Sequence, residues 1–145
     1  MKFQNAPIRC AHANRGFTLL ELLVVMVIIG MLAAFVAPRY FAQVGKSQAK
    51  AAKAQITALE QALDQFRLDV GRYPSNEEGL QALTTAPASV PGWAGPYLKK
   101  AAPNDPWGHP FVYVQPGTHG ELDLSSYGKD GREGGTGENA DITNW

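Results

Sequence analysis

At 145 residues the chain has the length of one small domain with an additional segment. Its 13 basic and 13 acidic residues balance, and the sequence offers no clustered basic surface of the kind that a nucleic-acid-binding protein needs. The one cysteine, Cys10, lies near the start of the chain, so a disulfide framework or thiol chemistry in the rest of the protein is excluded.

The first sixteen residues are basic and contain no acidic side chain. Lys2, Arg9 and Arg15 precede a long apolar segment, a charge pattern that predicts a cytoplasmic N-terminus. The apolar segment is longer than the core of a secretory signal, which runs to roughly 7–15 residues, and no small-x-small cleavage site follows it. We therefore predict that the rest of the chain stays tethered to the membrane and faces the periplasm.

The apolar segment itself covers residues 17–37, with Thr18, Glu21 and Gly30 as its three exceptions. At about 1.5 Å per residue, a helix of this length spans the roughly 30 Å of a bilayer core. Pro38 follows, and a proline removes a backbone donor and crowds the preceding turn. We predict a membrane-spanning helix that ends or bends at Pro38.

Glu21 is an unusual residue in this segment. An acidic side chain at the centre of a membrane helix costs on the order of 2.5–3.5 kcal/mol, and less near its end, so one interpretation is a carboxylate that reaches the headgroups. The other begins with cleavage between Gly16 and Phe17, which creates a new α-amine. The amine of a neighbouring subunit could then pair with Glu21 inside a bundle, and only the assembled state would neutralise the charge.

The series Gly-Phe-Thr-Leu-Leu-Glu at 16–21, after a basic leader and before a full-length apolar segment, resembles the start of type IV pilins and type II secretion pseudopilins. The resemblance implies that a prepilin peptidase cuts after Gly16 and that Phe17 is then N-methylated. It also implies that Glu21 serves assembly and that the helix continues beyond Pro38.

A second helical pattern runs from residue 46 to 70. Apolar residues recur at spacings of three and four and form one stripe: Ile56, Leu59, Leu63, Phe66 and Val70. We predict that a sheet covers this stripe; about three heptads make a coiled coil the weaker alternative. Residues 42–54 are mostly Ala, Lys and Gln, which suits packing against neighbouring copies. Gly71 is expected to end the helix.

A short helix is predicted next. Ser75 and Glu78 have the spacing of a capping box, which would begin a helix that runs to about Leu83. The segments Tyr-Pro-Ser at 73–75 and Gly-Leu-Gln-Ala-Leu at 79–83 resemble those of the major pseudopilins in particular.

Prolines are frequent between residues 84 and 108, so this part is predicted to be loop. Its large apolar side chains are expected to cover the edge of the core, a platform for stacking a ligand being the alternative: Trp93, Tyr97, Leu98 and Trp107.

Two alternating segments, His109–Gln115 and Glu121–Ser125, are separated by turn residues and predict a β-hairpin on the helical stripe. His109 and His119 lie at its ends, and we expect them to be exposed turn residues because they are too few and too far apart for a zinc site.

The last segment, 127–145, contains five glycines among charged residues, a composition also found in disordered tails. Against disorder, its carboxylates and amides supply oxygen ligands, its glycines allow carbonyls to turn inward, and Ile142 and Trp145 are expected to be buried. Ca²⁺ accepts about 6–8 oxygen ligands in flexible geometry, whereas Mg²⁺ needs a stricter octahedron and Zn²⁺ prefers Cys or His.

The resemblance to major pseudopilins implies a structural Ca²⁺ in this loop, through the series at 128–131 and 140–142. It implies a ligand set composed of the carbonyl of Tyr127 and the side chains of Asp130, Asn139 and, less strongly, Asp141. Relatives often carry a carboxylate where Gly137 stands here, and Glu138 is the candidate to replace it.

The expected fold is α+β and similar to type IV pilins: a long N-terminal helix packed on a small antiparallel sheet, with a calcium-stabilised C-terminal loop. We expect a leader over 1–16, a membrane-spanning and filament-core helix over 17–38, and a periplasmic head over 39–145. The expected location is the inner membrane, as a single-pass protein.

The resemblance implies a structural function, the major subunit of a helical pseudopilus that drives export of folded proteins. Its expected partners are further copies, minor pseudopilins, the inner-membrane assembly platform and the prepilin peptidase. A type IV pilin for adhesion, motility or DNA uptake is the alternative, but would more often carry a C-terminal disulfide. A membrane-anchored enzyme is disfavoured, since no Ser/His/Asp set, nucleophilic cysteine or phosphate-binding Gly-Lys-Ser/Thr loop is visible.

Overall fold

The computed structural model describes residues 16–88 and 90–145. The basic residues of the leader and Cys10 lie outside the described residues. Within them the chain forms a long helix, a short 3₁₀-helix, three strands and a second 3₁₀-turn: α1 (Leu19–Val70), the first 3₁₀-helix (Gly79–Leu83), β1 (Val112–Val114), β2 (Asp123–Ser126), the second 3₁₀-helix (Gly137–Asn139) and β3 (Ile142–Thr143). Two compact units meet between Tyr40 and Phe41.

The first unit contains the apolar part of α1. This helix is long and apolar enough to cross a membrane, and none of its most apolar window is buried within the described residues. Large side chains such as Leu20, Met26 and Phe35 are 71–80% exposed. Pro38 lies inside α1, so the helix continues past it as the resemblance implied. Exposed apolar surface of this size needs lipid or other copies to cover it.

The second unit has its core on the predicted stripe of α1. Ile56, Leu63 and Phe66 are fully buried, and they share one cluster with side chains of the first 3₁₀-helix and the sheet. The predicted helix-on-sheet packing is therefore confirmed. Three of the four large loop side chains pack against this core as expected, namely Trp93, Tyr97 and Leu98, whereas Trp107 is not part of that cluster. The Tyr97 ring meets Phe66 edge to face at 5.7 Å between ring centres.

Helix α1 ends as predicted at Gly71, which has a φ of +83° and donates its N–H to the carbonyl of Arg67 at 2.7 Å. The capping box is also present, since Ser75 N–H donates to Glu78 Oε2 at 2.7 Å and Glu78 N–H donates to Ser75 Oγ at 3.2 Å. The predicted short helix is present and ends at Leu83 as expected, but it begins at Gly79 rather than directly after Ser75. The box closes a turn, and the helix after it is a 3₁₀-helix because Gly79, at φ +52°, cannot continue an α-helix.

The three strands form one antiparallel sheet in the order β1-β2-β3. The hairpin is confirmed, with Tyr113 opposite Leu124. Its strands are shorter than predicted: Pro110 has no N–H to donate, and the carbonyl of His109 accepts a bond from Asp105 N–H instead. Strand β3 was not predicted, because two residues carry no readable alternation.

Trp145 differs from its prediction, whereas His119 agrees with it. Trp145 is 52% exposed rather than buried, and its ring stacks on that of His119 at 4.0 Å. His119 is exposed in the turn, as expected, and its Nδ1 lies 3.1 Å from Asp123 Oδ2. His109 is only partly exposed, and its Nδ1 lies 3.2 Å from the carbonyl oxygen of Gly128.

Candidate functional site

The expected processing point lies immediately before α1. Gly16 and Phe17 are in non-helical backbone, both are exposed, and a Cβ at Gly16 would find no atom within 4 Å. A peptidase needs an extended, accessible backbone around the bond that it cuts. The Gly16–Phe17 bond is accessible and lies outside the helix.

Glu21 lies in the first turn of α1 and is exposed. Its N–H donates to Thr18 Oγ1 at 3.2 Å, and its Oε2 accepts the N–H of Thr18 at 3.5 Å. This reciprocal pair is a capping box, which satisfies two of the amides that a helix start leaves unbonded. The sequence analysis missed this second role of Glu21, although the Thr-x-x-Glu spacing signals it.

The C-terminal loop folds back so that its two ends lie side by side. Lys129 N–H donates to the carbonyl of Glu138 at 3.0 Å, and a Cβ at Gly128 would lie 2.9 Å from the carbonyl oxygen of Ala140. A Cβ at Gly135 would lie 2.5 Å from the carbonyl oxygen of Asn139. Only glycine allows these close approaches, through which residues 128–129 lie beside residues 138–140.

The predicted ligand side chains lie on these two ends of the loop, and three of them have hydrogen bonds within it. Asp130 Oδ1 accepts the N–H of Arg132 at 3.2 Å, and Asp141 Oδ2 accepts the N–H of Gly134 at 2.8 Å. Glu138 Oε2 accepts Lys129 Nζ at 2.6 Å, an ion pair that the sequence analysis did not foresee.

Asp141 provides the test of whether a cation fits. Its second oxygen, Oδ1, is buried and has no hydrogen-bond partner among the described residues. A buried carboxylate oxygen without a partner is costly, and a bound cation would remove that cost. Across residues 16–88 and 90–145 no three His, Cys, Asp or Glu side chains converge on one point. A cation site in this loop must therefore include carbonyl and amide oxygens as ligands. Ca²⁺ commonly binds oxygens of these types.

Asp105 is a buried carboxylate that is linked to the start of this loop through hydrogen bonds. It is 4% exposed, accepts Ser126 Oγ at 2.5 Å through Oδ2, and accepts His109 N–H at 2.8 Å through Oδ1. Ser126 Oγ in turn accepts the N–H of Gly128 at 3.3 Å. A Cβ at Gly131 would lie 3.1 Å from the ring of His109. Asp105 was not predicted as a supporting residue because its link to the loop, Ser126, lies 21 residues further along the chain.

Two family models match this chain. The model described as type II secretion system protein G matches residues 39–145, and the model described as prokaryotic N-terminal methylation motif matches residues 11–37. The chain belongs to the type II secretion system protein G family. The predicted family is thereby confirmed, and the N-terminal match agrees with the processing motif at Gly16.

Relatives described as type II secretion system core protein G are similar in sequence over nearly the whole length of this chain. The type II secretion system core protein G of Pseudomonas aeruginosa is 47% identical over 134 residues, which is 90% of this chain and 94% of that protein. The Escherichia coli K12 protein of the same description is 46% identical over 141 residues, 94% of each chain. A crystal structure of the major pseudopilin of enterohaemorrhagic Escherichia coli is similar with a TM-score of 0.60 and 34% identity, covering 72% of this chain and 92% of that one.

These findings establish the chain as a pseudopilin of the protein G type, with the long helix and small antiparallel sheet expected of that fold. The family is a structural one, and an ordinary type IV pilin has no comparable support. The calcium loop, Glu21 and the cleavage site remain predictions.

Proposed function

We propose that this protein is the subunit that builds the periplasmic pseudopilus of a type II secretion system, a helical filament that drives folded proteins through the outer membrane. The observation that supports this most directly is α1. The part of α1 in the first unit exposes a continuous apolar surface, and an accessible cleavage motif precedes it. The chain also belongs to the protein G family. A surface of this kind suits lipid before assembly and other copies afterwards.

The proposed pathway begins in the inner membrane, with the N-terminus cytoplasmic and the second unit periplasmic. The prepilin peptidase cuts after Gly16, and the amine of Phe17 becomes available for N-methylation. Further copies, minor pseudopilins and the inner-membrane assembly platform are the proposed partners. We propose no catalytic activity for the protein.

Glu21 has two roles in this proposal. In the single chain it closes the capping box with Thr18. In the filament, its carboxylate would pair with the Phe17 amine of a neighbouring subunit, because an acidic group in an apolar bundle is costly until it meets a cation. The same carboxylate would thus favour assembly over a single helix in lipid.

We further propose that the C-terminal loop binds Ca²⁺ through Asp130, Asp141, Asn139 and the carbonyl of Tyr127. The support is the buried Oδ1 of Asp141, which has no partner within residues 16–88 and 90–145, and the glycine contacts that bring the two ends of the loop together. When bound, the ion would supply positive charge that holds these oxygens together. This loop has no disulfide to stabilise it, since the one cysteine is Cys10.

The function is tested by deleting the gene in its host and measuring secretion and filament formation. We expect the deletion to abolish secretion of the exported proteins and the wild-type gene to restore it. A Gly16→Val gene, which should block cleavage, is expected not to restore it. Normal secretion by the deletion strain would contradict the proposed function, and normal secretion with the leader still attached would contradict the processing step.

A further inference from the structure

The C-terminal loop touches α1 at a glycine. Gly45 is buried, and a Cβ placed there would lie 2.7 Å from Cγ and 2.8 Å from Cδ of Glu138, and still closer to Oε1. The side chain of Glu138 therefore occupies the space that a β-carbon of any other residue would need. Glycine inside a helix is destabilising relative to alanine. The contact with Glu138 explains why glycine nevertheless occupies position 45.

Glu138 is held in that position from the loop side. Its Oε2 accepts Lys129 Nζ at 2.6 Å, and its carbonyl accepts the N–H of Lys129 at 3.0 Å. Glu138 thus bonds to the first end of the loop through Lys129, contacts α1 at Gly45, and belongs itself to the second end. One residue joins three pieces of the second unit.

The contact between Glu138 and Gly45 is not part of a closely packed apolar core. A cavity of about 350 Å³ lies beside it, lined mainly by small residues and bounded by the ends of two polar side chains: Ala42, Gly45, Lys46, Ala49, Gly137 and Glu138. Because few large side chains pack here, the contact of the loop with this part of α1 depends mainly on Glu138.

We propose that Glu138 fixes the C-terminal loop against α1 through its contact with Gly45, while Lys129 binds its carboxylate; we call this contact the clasp. In this role Glu138 is not a calcium ligand. Order in the loop and contact with the helix are then coupled. The statement about calcium rests on the proposed calcium site, whereas the contact between Glu138 and Gly45 does not.

The first test uses thermal melts of the full-length protein in detergent with a chelator present. Gly45→Ala is expected to lower the Tm by about 5 °C, because the new methyl group displaces Glu138. In a Glu138→Ala background the same change is expected to raise the Tm, since alanine favours a helix over glycine. Gly120→Ala is the matched control, as its nearest neighbour would be Leu122 O at 3.8 Å. A Tm raised by Gly45→Ala in the otherwise unchanged chain would overturn the clasp.

The second test is a calcium titration of the same variants. The clasp predicts that Gly45→Ala and Glu138→Ala each weaken calcium binding by a similar factor, roughly threefold to tenfold, and that the double variant is no weaker than either. If Glu138 were a ligand, Glu138→Ala would abolish the calcium response while Gly45→Ala left it intact, and that result would overturn the proposal. If the unmodified chain binds no calcium, the proposed calcium site and the coupling to it are wrong, and the melts in chelator still decide the clasp.

Discussion

Arg72 holds both carboxylate oxygens of Glu78, with Nη1 2.6 Å from Oε2 and Nη2 2.8 Å from Oε1. The guanidinium, together with the N–H and hydroxyl of Ser75, lowers the pKa of Glu78 to about 2 despite partial burial, which acts in the opposite direction. One carboxylate therefore joins the end of α1 to the turn before the first 3₁₀-helix, and its charge state links stability to pH.

The first prediction concerns acid stability. Because the pKa of Glu78 is lower in the folded chain than the ordinary value near 4.3–4.5, its stabilisation is fully present above that value and is lost as the pH falls towards 2. Glu78→Gln should cost about 1 kcal/mol at pH 7, after allowance for screening by solvent, and close to nothing at pH 2. Denaturant melts across this range would measure it. Glu77→Gln, at an exposed neighbouring position, is the control, and an equal loss at both pH values would contradict the link.

The second prediction concerns Asp141. In chelator, Asp141→Asn should leave the Tm unchanged or raise it, because the change removes a charge whose buried Oδ1 has no partner in the described part of the chain. With calcium present, the variant should lack the stabilisation that we expect for the unmodified protein. Thermal melts of the full-length protein in detergent, with calcium and with chelator, give both values.

Asp130→Ala complements that experiment. It should lower the Tm in calcium and abolish the difference between calcium and chelator, since it removes a proposed ligand. Melting curves of the unmodified chain that coincide in calcium and in chelator would rule out the proposed site.

The third prediction separates the two roles of Glu21. Glu21→Ala should insert into the membrane normally but fail to form filaments, because no carboxylate remains to pair with the Phe17 amine. Thr18→Ala is the matched control: it breaks the capping box and keeps the carboxylate, so it should still assemble. Membrane fractionation and electron microscopy of sheared filaments measure insertion and assembly. Filaments from Glu21→Ala, or their loss in Thr18→Ala alone, would show that charge pairing is not the cause.

The fourth prediction concerns the core. Phe66 is fully buried and lies edge to face with Tyr97, so Phe66→Ala should destabilise the second unit by about 3–5 kcal/mol. Leu68, two positions along the same helix, is 78% exposed, and Leu68→Ala should change the stability by less than about 0.5 kcal/mol. Denaturant melts of both variants would make the comparison. A similar loss from both would mean that the stripe on α1 is not what the sheet covers.

Several local features could be read directly from the residues. The apolar stripe from Ile56 to Val70 repeats often enough for a helical period to be visible, and the Ser75–Glu78 capping box depends on spacing within one turn. The membrane-spanning segment is equally local, since it needs only length and apolar composition. Features of this kind depend on neighbours in sequence, which is why the predicted helix, hairpin and family were confirmed.

The sequence by itself thus determined the apolar anchor, the helical stripe and the resemblance of the processing motif. The tertiary structure decided that β3 pairs with β2, that Trp145 stacks on His119, and that Glu138 rests on Gly45. The physical reason is the range of the interactions. Each of these contacts joins residues from separate parts of the chain, and neither partner carries a pattern in its own neighbourhood that identifies the other.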